Sequence, residues 1–148
     1  MKTIVIIPAR MASKRFPNKP MAEIKGIPMI ERVWKQAVNS NIGNVYVACS
    51  EMEVFELITN RGGNAILTDP NLQSGTDRVY AALKQIKNLE IIDSVINLQG
   101  DMPLINSKDI IKVNEPITNG YSMGTLATNL KESEEKNINV TKVKINWN

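Results

Sequence analysis

The chain has 148 residues, 43% hydrophobic and 22% charged, with a net charge of +3 and a single cysteine, Cys49. Those values fit one ordinary globular core. They exclude an intrachain disulfide and a nucleic-acid coat, and no apolar run approaches the ~20 residues of a membrane span. Histidine is absent, so Ser/His/Asp chemistry, His-ligated zinc and an imidazole general base are excluded as well.

The chain opens with Lys2-Thr3-Ile4-Val5-Ile6-Ile7, a β-branched run without polar alternation. Such a run reads as a strand buried on both faces of a parallel sheet. From Pro8 to Pro20 three prolines stiffen the path, and Arg10, Lys14, Arg15 and Lys19 crowd into ten positions. Open α/β sheets bind ligands just outside the carboxyl ends of their strands, and four clustered cations favour a partner with several negative charges, a triphosphate above all. A solvated basic loop is the plainer account of charge alone.

After Gly26-Ile27-Pro28, the apolar residues Met29, Ile30, Val33, Trp34, Ala37 and Val38 have helical spacing. This predicts a helix ending near Asn39-Ser40-Asn41, with Trp34 in the core. A second strand follows over 44–49. Ser50 and Glu53 then have capping-box spacing ahead of a second helix that Gly62-Gly63 can end, and a third strand is expected over 64–68. This alternation predicts an α/β fold, a three-layer, doubly wound, mostly parallel sheet of Rossmann-like type.

Asp69 to Arg78 reads as a polar turn running into a helix that carries Val79, Ala82, Leu83 and Ile86, with Ser74 or Thr76 as its cap. Plain capping competes here with a ligand-facing helix start. A fourth strand, 94–98, breaks at Gln99-Gly100-Asp101-Met102-Pro103. An aspartate just past a buried strand is where Mg²⁺ is often held against nucleotide phosphates, although Gly-Asp is also common turn vocabulary. Beyond it the pattern predicts a short helix over 106–114 ended by Pro116, a fifth strand over 122–128, a charged connection over 131–136 and a last strand over 140–145. That final strand has no helix to cover it, so the sheet reads as incomplete at the carboxyl end.

Three motifs in order carry a family resemblance. They are Pro8-Ala9-Arg10 with Ser13, Arg15, Pro17, Lys19 and Pro20; then Gln73-Ser74-Gly75-Thr76-Asp77-Arg78; then Asn97-Leu98-Gln99-Gly100-Asp101 with Pro103. Together they resemble 3-deoxy-manno-octulosonate cytidylyltransferases, the CMP-Kdo synthetase family, and Met123-Gly124-Thr125-Leu126-Ala127 and Val143-Lys144 resemble later family segments. The resemblance implies a nucleotidyltransferase that moves CMP from CTP to Kdo, releases pyrophosphate, uses Mg²⁺ and serves lipopolysaccharide assembly. It assigns Arg10 and Lys19 to the triphosphate, with Ser13 and Arg15 supporting the loop beside Pro8 and Ala9. Ser74, Gly75, Arg78 and Gln99 fall on the cytidine and sugar side, and Asp101 takes the metal. Arg10, Lys19 and Asp101 are the expected catalytic set.

The chain departs from the family at Leu72, where a histidine is usual, at Met102, where an acid is usual, and at Cys49-Ser50, where Thr-Asp is common. Relatives also continue further, with sugar contacts, a second metal carboxylate and much of a homodimer surface in the remainder. The expectation is thus a single, truncated nucleotidyltransferase domain over 1–148 in the cytoplasm, with CTP and Kdo as small-molecule partners and neither nucleic acid nor membrane. The alternatives are an inactive nucleotide-binding fragment and a nucleotidyltransferase for another sugar. A nucleic-acid binder is disfavoured by the 5% aromatic content and by the lack of RNA-binding motifs.

Overall fold

The computed structural model describes residues 1–11, 17–88 and 91–143. Four parallel strands form the sheet: β1 (Thr3–Ala9), β4 (Gly43–Cys49), β5 (Asn64–Leu67) and β6 (Ser94–Asn97), in the order β5-β4-β1-β6. β1 lies between β4 and β6, with Thr3 opposite Gly43 on one side and Ser94 on the other. Every residue of β1 is buried, so the unbroken β-branched run has the two-faced burial its sequence predicts.

Side chains alternate along β1 between two apolar layers. Val5, Ile7 and Ala9 join one layer with Ile30, Val33 and Trp34 of α1 (Met29–Asn39), Val54 and Ile58 of α2 (Met52–Asn60), and Ile110 of α4 (Ser107–Lys112). Ile4 and Ile6 join the other with Val79 and Ala82 of α3 (Gly75–Leu83). Helices on both faces of a parallel sheet make the predicted three-layer, doubly wound α/β fold. Its strand order reverses direction at β1, and the β1 and β6 ends flank a topological switch point. Trp34 and Cys49 are core residues as expected. Burial pushes the Cys49 thiol up to about 11, which makes it inert packing at neutral pH.

Several local expectations need correction. α2 has Glu51 as its N-cap with no side-chain cap bond. The Ser50 hydroxyl instead donates to the neighbouring Glu51 Oε1 at 2.8 Å, so the Ser50/Glu53 capping box does not form. Of the glycine pair after α2, only Gly62 has a left-handed φ, at +79°. Pro116 begins a helix and ends none: it occupies the first turn of α5 (Glu115–Thr118), where its missing N–H costs nothing. A hairpin of β2 (Glu23–Ile24) and β3 (Ile27–Pro28), absent from the sequence reading, precedes α1. Its turn residues Lys25 and Gly26 have φ of +52° and +73°. Positive φ at both turn positions marks a primed hairpin turn that normally favours Asn-Gly, so Lys25 hid the signal.

The largest correction concerns the carboxyl-terminal part. Residues 122–128 are not a strand, and 140–143 are not one either; the rest of the last expected strand lies outside the described residues. Gly124 packs against the α4 to α5 junction, where an added Cβ would stand 2.8 Å from the Val113 carbonyl oxygen and 2.9 Å from Pro116. This placement holds the segment on the helices, and a strand needs a neighbouring ladder to satisfy its backbone.

Candidate active site

The carboxyl ends of β1 and β6 and the start of α3 meet in a cleft of about 230 Å³ lined by Pro8, Ala9, Arg10, Lys19, Pro20, Gly75, Arg78, Gln99, Gly100 and Asp101. One glycine allows the approach and a second marks where the motifs meet. A Cβ on Gly100 would sit 2.7 Å from the Pro8 carbonyl oxygen, so only glycine lets the turn after β6 lie against β1. A Cβ on Gly75 would reach Pro8 at 3.4 Å and Gln99 Oε1 at 3.6 Å, which places three separate motifs within van der Waals range of one point.

The basic loop is closed at its base. Asn18, in a left-handed conformation with φ +57°, donates its N–H to the Met11 carbonyl at 3.0 Å. Asparagine tolerates that conformation better than most residues. A short 3₁₀ turn over Lys19–Met21 follows and carries Lys19 back to the sheet, where its Nζ donates to Asp101 Oδ2 at 2.6 Å. Both side chains keep substantial exposure, 35% and 52%, so this ion pair is open to exchange with a charged ligand and contributes little to stability.

On the α3 side, Ser74 is the N-cap. Its Oγ accepts from Asp77 N–H at 3.0 Å while Asp77 Oδ2 accepts from Ser74 N–H at 3.1 Å, a complete capping box. The cap alternative left open in the sequence is thereby settled in favour of Ser74. Thr76 instead accepts from Asn97 Nδ2 at 3.5 Å, and Gln99 Nε2 donates to Asn97 Oδ1 at 2.8 Å. This chain of amides ties the end of β6 to the first turn of α3.

Arg78 is the least expected member of the group, because its side chain is buried at 1% exposure. Its Nη1 donates to Thr68 Oγ1 at 2.5 Å, and Thr68 Oγ1 donates on to the Cys49 carbonyl at 3.0 Å. Arg78 Nη2 and Glu51 Oε2 are buried without a hydrogen-bond partner among the described residues. Burial pulls the Arg78 pKa down and the nearby Glu51 carboxylate opposes it. Thr68 and Glu51 were missed in the sequence; the available signal was that both follow the carboxyl ends of strands, the rim where ligand groups collect.

Of the expected site residues, Pro8, Ala9, Arg10, Lys19, Gly75, Arg78, Gln99 and Asp101 share the cleft. Ser74 stands beside it as the cap of α3. Ser13 and Arg15 lie outside the described residues. Asp101 is the only carboxylate among the described residues that line the cleft, and the described residues hold no group of three or more carboxylate or thiol side chains able to enclose a metal ion.

Known proteins share both the sequence and the fold. A family sequence profile described as cytidylyltransferase matches residues 4–148. The chain belongs to the cytidylyltransferase family. Among its relatives is a 3-deoxy-manno-octulosonate cytidylyltransferase of Paramagnetospirillum magneticum, 43% identical over 94% of this chain and 57% of the relative. The protein of the same name from Rhodospirillum rubrum is also 43% identical, over 94% of this chain and 56% of its own length. The solved CMP:2-keto-3-deoxy-manno-octonic acid synthetase complexed with CTP superposes with a TM-score of 0.74 at 34% identity, over 81% of this chain and 48% of that one. A cytidylyltransferase from Leptospira borgpetersenii, at 24% identity and a TM-score of 0.68, shares the fold. This cytidylyltransferase chain thus spans under three-fifths of the length of these curated relatives. No helix among its described residues is long and apolar enough to cross a membrane.

Proposed function

We propose that this chain is the nucleotide-binding part of a cytidylyltransferase that transfers CMP from CTP to 3-deoxy-D-manno-octulosonate, giving CMP-Kdo and pyrophosphate, for lipopolysaccharide assembly. The observation that carries the reading is the meeting of Arg10, Lys19 and Asp101 in one cleft at the carboxyl rim of a parallel sheet. The names and 43% identity of the curated relatives support the choice of nucleotide and sugar.

In the reaction, an anomeric hydroxyl oxygen of the sugar forms a bond to the α-phosphorus of CTP while the bond to pyrophosphate breaks and the hydroxyl proton is given up to water. Negative charge grows on the phosphate oxygens, so fixed cations lower the barrier most. Arg10 and Lys19 supply them. The nucleophile comes from the substrate, and a chain without histidine can therefore do this chemistry. Asp101 would hold Mg²⁺, which neutralises phosphate charge; one carboxylate suits Mg²⁺ when phosphate oxygens and water fill the remaining positions. Lys19, paired with Asp101 at 2.6 Å and partly exposed, would be free to turn to the phosphates if Asp101 held a metal, so the ion pair serves as a holding arrangement. Arg78 lines the cleft as a buried cation whose charge favours a bound nucleotide.

Pyrophosphate release with CTP, Kdo and Mg²⁺ tests the transfer, using this chain supplied with the part of a relative that it does not match. Lys19→Ala and Asp101→Ala should each lower kcat about 100- to 1,000-fold, the scale of one lost electrostatic donor. Wild-type rates in either variant would remove these two residues from the machinery. A second reading, nucleotide binding without turnover, is favoured by the single carboxylate among the described residues that line the cleft and by the partial coverage of relatives. CTP binding by the chain alone, outcompeted by neither UTP nor GTP and unaccompanied by pyrophosphate even in the supplemented mixture, would select it.

A further inference from the structure

Arg78 is one of the residues lining the cleft, yet almost none of it reaches solvent. A guanidinium carries five N–H donors and no acceptor, and withdrawing its charge from water is costly unless other groups hold it. Burial pulls the Arg78 pKa down, the Glu51 carboxylate pushes back, and Arg10, in the same cleft, adds to the pull. Charge alone does not aim a side chain; hydrogen bonds do. Nη1 donates to Thr68 Oγ1 at 2.5 Å, while Nη2 has no partner among the described residues. Thr68 is itself fixed. It directly follows β5, and both its N–H and its hydroxyl donate to the Cys49 carbonyl at the end of β4, at 2.8 and 3.0 Å. A threonine hydroxyl has one proton, so with that proton committed to Cys49 only its lone pairs are left to face Arg78. The branched Cβ stiffens the arrangement at χ1.

We propose that Thr68 is a positioning residue: its hydroxyl, tied to the end of β4, holds the Arg78 guanidinium in the wall of the cleft so that its charge acts on a bound nucleotide. Thr68 is not among the residues that line the cleft, so its effect on the ligand passes through Arg78. A charge fixed in a dry wall acts more strongly on an anion than one that swings in water, which is what the tether secures. Without it the buried Nη1 either goes unbonded or turns away, and both outcomes weaken the site. This assignment rests on the reading of the cleft as a nucleotide site and deepens it.

Thr68→Val keeps the shape of the side chain and removes its oxygen. The Cys49 carbonyl retains the backbone N–H of residue 68, so the loss falls on Arg78. Nitrogen-15 NMR of the arginine side chains reads this in the free 148-residue chain. Separate, slowly interchanging Nη1 and Nη2 signals are expected for Arg78; they should merge in Thr68→Val and return in Thr68→Ser, which keeps the hydroxyl. Calorimetric titration with CTP, without metal, reads the consequence. Affinity should fall about tenfold in Thr68→Val, the scale of one hydrogen bond to a charged group, and stay close to the wild-type value in Thr68→Ser. In an Arg78→Gln background, Thr68→Val should weaken CTP binding no further, a non-additivity that general destabilisation does not produce. Arg78 signals or CTP affinity unchanged in Thr68→Val overturn the proposal, as does an equal loss with Arg78 replaced. If Thr68→Val does not fold, the unsubstituted chain decides: separate Nη signals support the tether and merged ones overturn it. The two failures differ in kind. A chain with Arg78 held in this way that binds no CTP overturns the nucleotide reading and the role built on it, whereas CTP binding indifferent to Thr68 overturns the positioning role alone.

Discussion

The two faces of the sheet are built from neighbouring residues of the same strand, yet they are covered differently. Ile7 points into the layer under α1, α2 and α4, whereas Ile6 points into the layer that α3 covers. Both side chains have 0% exposure. The proportions around them differ: among the described residues the layer of Ile7 has fifteen buried members against eight partly buried ones, including Phe55 and Leu57, whereas the layer of Ile6 has five buried members, Ala48 and Ala82 among them, against six partly buried ones. Burial of one side chain is therefore a poor guide to how firmly its surroundings hold their shape.

Truncation of each isoleucine separates the faces. Ile7→Ala should destabilise the chain by about 4 kcal/mol, because a fully packed layer cannot collapse into the space left behind. Ile6→Ala should cost about 2.5 kcal/mol, since partly exposed neighbours can close in and water can reach the site. Urea midpoints at constant slope would measure both. Equal losses, or a larger loss at Ile6, would break the comparison.

An effect of about 1.5 kcal/mol, typical of hydrogen bonds to a charged group, is expected from Glu31→Gln on the thicker face. Glu31 is 3% exposed and holds Lys35 at 2.7 Å along α1 and Arg61, just past α2, at 3.2 Å. The hydrogen bond from Lys35, with that from Arg61, keeps its pKa below the ordinary 4.5 even though burial pushes the other way. A carboxyl with a lowered folded pKa stabilises the protein above its unfolded pKa, and that contribution is lost as pH falls through the folded value. The gap between wild type and Glu31→Gln should thus be full at pH 7 and shrink on acidification below about 4.5. A gap that widens with acid would contradict the lowered pKa.

The sequence made the thick face more legible than the thin one. α1 carries its own helical spacing and β1 an unbroken β-branched run, so their burial could be read from the local pattern alone. The meeting of Pro8, Gly75 and Gln99 was legible in a different way, as three ligand-type turns at one rim of a doubly wound sheet. What stayed hidden depends on contacts across the fold. Nothing near Arg78 in sequence shows that Thr68 will accept its Nη1 or that its guanidinium will be buried. The strand pattern at 122–128 was real as a pattern, but it lacks a ladder partner among the described residues, and Gly124 settles against Val113 and Pro116. Local patterning states what a segment is fit for; neighbours decide whether it does it.

Loss of the α3 cap should show a smaller effect, confined to the thinner face. Ser74→Ala removes the acceptor for Asp77 N–H and should cost about 1 kcal/mol. Because α3 starts at the cleft, amide exchange should rise at Gly75 to Asp77 before it rises in α1. Ser74→Asn, another good cap, should recover most of the loss. Unaltered stability and exchange in the Ser74→Ala variant would mean that packing of Val79 and Ala82 alone holds the helix.

The smallest effect belongs to the apolar residues that neither layer claims. Leu104 is 90% exposed and Ile138 is 95% exposed, so replacing either by alanine removes almost no buried area. Each substitution should change the stability of the isolated chain by less than about 0.5 kcal/mol, as surface changes usually do. Side chains of this size in either packed layer would cost several times that on truncation. Their chemistry points to solubility: single exposed apolar residues are common, but Leu104, Met123 at 84% and Ile138 lie within one stretch of the chain. Leu104→Ala combined with Ile138→Ala should leave the thermal midpoint nearly unchanged while raising the concentration at which the chain begins to associate. A marked fall in the midpoint would show that this stretch packs as a third apolar layer, and the contrast between two faces would then be too simple.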